Sequence, residues 1–362
     1  MEKLPPLMYQ VADVLKDMRP GMLNPIYARK RDKEALKNVR EVSLRCLNGY
    51  EVAPQCTINQ SIPALVFSTG GYAGNLFHDY SDILIPLFLT AYHYHGEVQL
   101  LVTNAQTWWL RRHRRELSQI TRYQIIDFDN DSEVRCYSDV IVGLHSHKEF
   151  NIDPLRAPIG HSMANFTQFM RRSYSLKRDT LNQIGGVLKP RVLIIARKRT
   201  RSFTNINQIV QMAAETGCEV VVKEPGFGTG MAEVANIVNS CEMMIGVHGA
   251  GLSNLVFLPE NAVLIQIVPY GKLEGIGWYS FGLAAGKAKL KYIQYEISSL
   301  ESSLMEEYPK DHPVIANPDS IHKQGWNAVK NVYLIQNITL DVKKFRPVLI
   351  EALKLLQNQD DM

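Results

Sequence analysis

Twice along this chain, short apolar and β-branched runs alternate with stretches whose apolar residues recur at helical spacing, a rhythm that few folds can accommodate. The first series begins near Pro63. It predicts strands at 64–67 and 98–102, helices at 79–94 and 108–120, and further strands at 123–128 and 140–144. After Gly185-Gly186 and Lys189-Pro190 the rhythm restarts. It predicts strands at 192–196, 219–222, 243–247 and 262–268, with helices at 208–216, 231–238 and 253–258 between them. Strands linked through helices pair in parallel and are covered on both faces. The expected fold class is therefore α/β, with Rossmann-like domains at 61–185 and 186–340, an irregular N-terminal segment at 1–60 and a C-terminal helix at 341–362. Phe345, Val348, Leu349, Leu353 and Leu356 fall at three- and four-residue steps along that last helix. A chain of 362 residues with 46% hydrophobic content is long enough for two cores.

Open α/β sheets bind ligands beyond the carboxyl ends of their strands, so chemistry is sought on the strand-terminal loops, and two such units suggest a cleft between them. The sharpest candidate follows the strand at 243–247: His248-Gly249-Ala250-Gly251-Leu252-Ser253-Asn254 breaks an apolar run into small residues and then resumes it. Glycines let a backbone approach an anion, helix N–H groups face it, and His248 adds a side-chain donor. Arg197-Lys198-Arg199-Thr200-Arg201 leaves the equivalent end of the strand at 192–196 with four cations, suited to clamping a diphosphate. The bland alternatives are a tight turn with a satisfied histidine and a solvated basic loop.

In the first series the corresponding loop is Ser68-Thr69-Gly70-Gly71-Tyr72-Ala73-Gly74-Asn75, followed by His78 and Asp79 at a helix start. Either side chain is a candidate general base towards a hydroxyl. The competing reading packs His78 and leaves Asp79 or Asp82 to favour the helix dipole. The run Arg111-Arg112-His113-Arg114-Arg115 is read as a solvated helix face, with Leu110, Leu117 and Ile120 turned to the core. His145 and His147 share one side of an extended stretch, but no carboxylate or cysteine completes a metal set, and no metal is expected.

A net charge of +4 and a pI near 8.6 are only mildly basic, which favours a small anionic partner over nucleic acid. No run of 18 apolar residues and no signal-peptide h-region occurs, so the chain is expected to be soluble as written. Four glycosylation acceptor patterns, at Asn59, Asn130, Asn165 and Asn337, have meaning only in the secretory pathway. Cys46 and Cys56 flank a loop and are candidates for a small disulfide, whereas Cys218 and Cys241 lie in apolar runs and are expected as buried thiols.

Taken in order, several of these segments make the chain similar to plant members of glycosyltransferase family 61, which include Golgi xylan arabinosyl- and xylosyltransferases. The matching stretches are 66–75 with His78-Asp79, the basic loop 197–201 with Phe203, Val238-Asn239-Ser240-Cys241, and Gly246 to Leu252 with Asn254. Glu301-Ser302-Ser303-Leu304, Asp311-His312-Pro313-Val314 and Ser320-Ile321-His322-Lys323 continue the series, so that the resemblance runs from about Cys46 to the end. Differences include Glu242 for a usual Asp, Ser253 for Thr, Ala284-Ala285 for Pro-Ala, Lys289 for Gly, and a shortened 333–337 stretch.

The resemblance implies a GT-B fold of two facing Rossmann-like domains. The donor UDP-sugar would lie on the C-terminal domain and the polysaccharide or glycan acceptor on the N-terminal one, with inverting transfer and no required metal or other cofactor. On that basis Arg197, Lys198, Arg199, Arg201, His248, Gly249, Ala250, Gly251 and Asn254 are the expected donor-binding residues. Asp79 is the first candidate base and His78 the second. The resemblance further implies residence in the Golgi lumen; the type II membrane anchor of the family is expected to be absent from this chain. Two rivals are a non-catalytic glycan- or nucleotide-sugar-binding homologue and a nicotinamide dehydrogenase. The latter is disfavoured because no Gly-x-Gly-x-x-Gly follows the first strand.

Overall fold

In the computed structural model, residues 23–24, 27–44, 47, 52–181, 189–224 and 230–357 are described. Gly185-Gly186 and Cys46 lie outside them. The chain divides into two compact units, Met1–His161 and Ser162–Met362.

The first unit is built on a parallel sheet in the spatial order Ile126–Asp127, Gln99–Thr103, Ala64–Ser68, Val140–Val142. Ala64–Ser68 and Gln99–Thr103 are buried at every position, as strands covered on both faces must be. The direction of strand succession reverses between Ala64–Ser68 and Val140–Val142, which makes the carboxyl ends of these two neighbours the switch point of the sheet.

A helical run crosses the core behind Ala64–Ser68. It begins with Leu76–His78, capped by the Asn75 side chain, widens into a π-helix at Asp79–Leu84 and narrows to an α-helix at Ile85–Ala91. Pro86 accounts for the widening, because it has no N–H for the carbonyl four residues back and its ring crowds that turn. Every residue from Asp79 to Ala91 is buried, so the carboxylates of Asp79 and Asp82 sit in the interior. The region 108–120 is two helices, Thr107–Arg112 and Arg114–Ile120, broken at His113. Leu117 and Ile120 are buried as expected, Leu110 is half-buried, and Trp109, His113 and Glu116 are buried too. The basic run is thus solvated only in part.

The segment expected to be irregular up to residue 60 contains ordered parts. Lys33–Leu36 is a short helix capped by Asp32, and Ile58–Gln60 pairs in parallel with Arg135–Tyr137. A disulfide ties that second pairing together, but it joins Cys56 to Cys136 and not to Cys46. The pairing of Asn59 with Cys136 in the register of these strands brings the two sulfurs within reach, a proximity that local spacing does not reveal.

The second unit carries a five-stranded parallel sheet in the order Glu219–Lys223, Arg191–Ile195, Met243–Val247, Val263–Val268, Lys291–Glu296. In sequence order this is 2-1-3-4-5, so the switch point lies between Arg191–Ile195 and Met243–Val247. The central strands are buried throughout and the two edges are half-exposed. Met163–Ser173, which precedes the expected boundary at 185, packs on Ala250–Phe257 of this unit, and Arg171 donates to the Leu258 carbonyl at 3.1 Å. The terminal helix, Val342–Gln357, buries Phe345, Leu349, Ala352 and Leu356 against the strands Val263–Val268 and Lys291–Glu296. Cys218 and Cys241 are buried free thiols.

Lys289 has φ +59°, the left-handed region that costs a side-chain-bearing residue about 1 kcal/mol. Its ammonium contact with Glu260 at 3.1 Å is exposed and offsets little of that. Lys289→Gly is therefore expected to raise unfolding stability by about 0.5–1 kcal/mol, measurable as a higher urea midpoint at unchanged slope.

Candidate active site

Both loops expected to hold the donor leave the carboxyl ends of the two switch-point strands of the second unit, and they meet. Arg201 Nη1 donates to the His248 carbonyl at 2.9 Å, and Arg197 Nε donates to the Thr200 carbonyl at 2.8 Å. A Cβ on Gly249 would lie 2.8 Å from Arg201 Nη1 and 3.0 Å from Arg197 Nη1, so the guanidinium groups converge over this glycine. Gly249 also has φ +144°, which the bare backbone adopts readily and a side chain resists. Arg201 itself holds φ +56°, fixed by its N–H on the Gln336 carbonyl at 2.9 Å. Ser202 is pinned in turn by Asn337 Oδ1, which accepts from its N–H at 3.1 Å and its hydroxyl at 2.8 Å. The C-terminal segment therefore sets the shape of the basic loop.

Neither Arg197 nor Arg201 has a carboxylate partner within ion-pair distance among the described residues. Burial, and then the neighbouring charge of Arg197, press Arg201 down to about 10, and burial also lowers Arg197. Two desolvated like charges side by side, with Arg201 Nε lacking any hydrogen bond, are an arrangement that a bound anion relieves. The other two cations of the loop do not take part. Lys198 is exposed and paired with Glu224 at 2.8 Å, and Arg199 is exposed; both are corrections to the expected donor set.

His248 is buried beneath this pair. Burial, then Arg201 and Arg197, depress its imidazole to about 3, so it is neutral at any physiological pH. The Gln266 amide donates to Nδ1 at 2.9 Å, which with the amide in this orientation puts the imidazole proton on Nε2. Gln266 Oε1 accepts from the Tyr292 hydroxyl at 3.1 Å, and Tyr292 also approaches Gln294 Oε1 at 2.7 Å. Phe281 closes the other side, its ring centroid 5.7 Å from that of His248. Gln266, Tyr292 and Gln294 were not anticipated, though Gln266 carries a legible signal: it is the one polar residue inside the apolar strand Val263–Val268.

Below pH 6.5 an unfolded histidine takes up a proton that buried His248 refuses, so the unfolded state binds more protons and stability falls as pH is lowered. This side chain alone is expected to contribute about 2 kcal/mol of destabilisation between pH 8 and pH 5. Thermal unfolding of wild type and His248→Gln at both pH values checks it, the variant being the less acid-sensitive.

The turn after His248 is a 3-10 helix, Ala250–Phe257, not an α-helix. Its first N–H groups, on Ala250 and Gly251, have no intrahelical acceptor and stand next to the arginines. Gly251 lets the turn sit on the sheet: a Cβ there would be 3.0 Å from Ile195 Cγ2. Asn254 is fully buried and donates to the Gly251 carbonyl at 2.8 Å, so it holds the turn from within.

The first unit separates His78 from Asp79. Asp79 is fully buried; its Oδ1 accepts from the Gly74 N–H and the Trp109 indole N–H, each at 2.8 Å, and Oδ2 lies 3.6 Å from His113 Nε2. Burial alone would lower His113, but Asp79 and Glu116 raise it above its ordinary value, as expected for an internal ion cluster. The structure places Asp79, expected as the first candidate base, as a fully buried internal anchor of the loop.

His78 is partly exposed, and its Nδ1 lies 2.8 Å from Asp82 Oδ2. The same oxygen accepts from Arg29 Nε at 2.7 Å and the Tyr27 hydroxyl at 3.0 Å. Burial pushes Asp82 up, but His78 and Arg29 more than reverse this and hold it ionised below the usual range. Nδ1 is engaged by this fixed carboxylate, and Nε2 makes no hydrogen bond among the described residues. The glycines of this loop pack closely on the preceding chain: a Cβ on Gly70 would lie 2.0 Å from the Asn38 carbonyl, and one on Gly71 2.4 Å from the Tyr27 ring.

A family model for Glycosyltransferase 61 matches residues 76–265, which includes His78, both basic-loop arginines and the His248 turn. An alpha-1,3-arabinosyltransferase of rice, Oryza sativa subsp. japonica, is 46% identical over 91% of this chain. A beta-1,2-xylosyltransferase from the same organism is 44% identical over 91% of the chain and 71% of its own length. A xylan glycosyltransferase of Arabidopsis thaliana is 32% identical over 90% of the chain and 69% of its own length. The chain spans 57% of the length of the arabinosyltransferase. On the extent of these matches, this chain belongs to glycosyltransferase family 61.

Proposed function

We propose that the protein transfers a pentose, xylose or arabinose, from a UDP-sugar to a hydroxyl of a cell-wall polysaccharide such as xylan, with inversion. The observation that carries this reading is the pair of half-buried guanidinium groups of Arg197 and Arg201, without an ion-pair partner among the described residues, converging over Gly249 at a sheet switch point. These groups and the N–H groups of Ala250 and Gly251 hold the diphosphate and stabilise it as it departs. They supply the positive charge that a divalent ion provides elsewhere, so transfer proceeds without metal. Neutral His248 donates from Nε2 to the donor. His78 Nε2 removes the proton of the acceptor hydroxyl, whose oxygen bonds to the anomeric carbon as the bond to the diphosphate breaks.

The arrangement proposed for the two units is GT-B, with the acceptor on the first and the donor on the second. The proposed compartment is the Golgi lumen. The Cys56–Cys136 disulfide fits an oxidising compartment, and Asn59 and Asn130 are exposed glycosylation acceptors. Among the described residues no helix is long and apolar enough to cross a membrane.

Incubation with a panel including UDP-xylose and UDP-arabinofuranose, plus xylo-oligosaccharide, tests the reading. Acceptor-dependent UDP release that survives EDTA is expected with one pentose donor. Donor binding without transfer to any acceptor of the panel would instead favour a non-catalytic homologue.

A further inference from the structure

Beyond the carboxyl end of Val140–Val142, at the switch point of the first unit, lies an open concavity of about 720 Å³, in the size range of ligand sites. Its walls are residues 28–32 and 141–147. Its charge is one-sided. Lys30 and Arg31 are exposed and make no ion pair or hydrogen bond among the described residues. The one acid in the wall, Asp32, is already committed: its Oδ1 caps Lys33–Leu36 through the N–H groups of Glu34 and Ala35, both at 3.1 Å, and meets the Tyr72 hydroxyl at 3.2 Å. Arg29 is neutralised by Asp82 and Glu149. His145 and His147 are kept neutral, chiefly by burial and also by the positive charge of Lys30 on the one and Arg156 on the other. His147 Nδ1 accepts from the Asp153 N–H at 3.0 Å, which leaves its proton on Nε2, and the Arg156 backbone also hydrogen-bonds this ring.

We propose that this concavity is a subsite for a carboxylate-bearing sugar of the acceptor, a uronic acid, held by Lys30 and Arg31 with His147 as a neutral donor. The proposal rests on the transferase reading for the word acceptor. Arg31 offers a carboxylate two parallel N–H bonds, and Lys30 a mobile charge. Arg29 lines the concavity and also grips Asp82, the carboxylate behind His78, so the subsite is linked to His78 through Arg29 and Asp82. A uronic acid is favoured over a phosphate because neutral histidines line the site and the stronger, doubly cationic grip is in the other unit.

The test is direct titration of two xylo-oligosaccharides of equal length, one bearing a single glucuronic acid, on wild type and on Lys30→Gln/Arg31→Gln. In wild type the acidic oligosaccharide is expected to bind about tenfold more tightly at low salt, and added salt should erode the difference. In the double variant the two should bind alike, while UDP release with the neutral acceptor stays within about twofold of wild type. Equal binding of both oligosaccharides by wild type, or a preference that survives the double substitution, overturns the proposal. Displacement of the acidic oligosaccharide by inorganic phosphate as readily as by free glucuronate also overturns it, since that marks a general anion site. Binding is read without turnover, so a wild type that prefers the acid but transfers nothing counts against the transferase reading and not against the subsite.

Discussion

Arg201→Ala is expected to lower kcat/KM for the UDP-sugar about 10³-fold and to abolish measurable UDP binding, while the protein keeps its fold. The size follows from the position of the group. Its guanidinium is half-buried beside that of Arg197, and neither has a carboxylate within ion-pair distance among the described residues, so both are available for the charge of a diphosphate in a partly desolvated setting. Two controls separate charge from architecture. Arg201→Lys retains a cation but loses the fork that reaches both the His248 carbonyl and a ligand, and should recover only a small part of the activity. Arg201→Gly relieves the φ +56° backbone, so it should be at least as stable as Arg201→Ala and equally inactive. Isothermal titration with UDP and initial rates at varied donor concentration decide the matter. Retention of UDP affinity in Arg201→Ala would sink the donor-site assignment, since Arg197 and the turn amides would then be binding diphosphate alone.

Much of this candidate site's placement was legible in the sequence. Parallel strands buried on both faces write themselves as continuous apolar runs, and the residues that end such runs are forced to one edge of the sheet. The basic loop and the His248 turn could thus be placed together without any contact being known. Which cations point inward was not legible. Arg197, Lys198, Arg199 and Arg201 are equivalent as letters, and only the left-handed turn at Arg201, set by Gln336 and Asn337 far along the chain, sorts them. The relay through Gln266, Tyr292 and Gln294 depends on the register of three neighbouring strands, which has no local signature beyond a lone polar residue in an apolar strand. In the first unit the helix start was recognised, but a π-turn widened by Pro86 decides which carboxylate faces inward and which faces His78. The partners Tyr27 and Arg29 lie more than fifty residues upstream of Asp82, in a stretch whose composition suggested no structure.

His78→Gln is expected to reduce kcat about 10³-fold while leaving the UDP dissociation constant unchanged, because it removes a proton acceptor and leaves the donor grip intact. The dyad has what a base needs: Asp82 is held ionised by His78 and Arg29 against its burial, fixes His78 through Nδ1 at 2.8 Å, and leaves Nε2 without a hydrogen bond among the described residues. Asp82→Asn should lower kcat less steeply than His78→Gln, since the imidazole remains but loses its fixed tautomer. Asp79→Asn gives the opposite signature. Its carboxylate serves Gly74, Trp109 and His113 in the interior, so the variant is expected to lose about 3 kcal/mol of stability while each folded molecule still turns over. Activity per folded molecule, with the folded fraction taken from denaturant titration, distinguishes the two carboxylates. Normal turnover in His78→Gln beside a dead but folded Asp79→Asn would reverse the assignment and return the base to the buried acid.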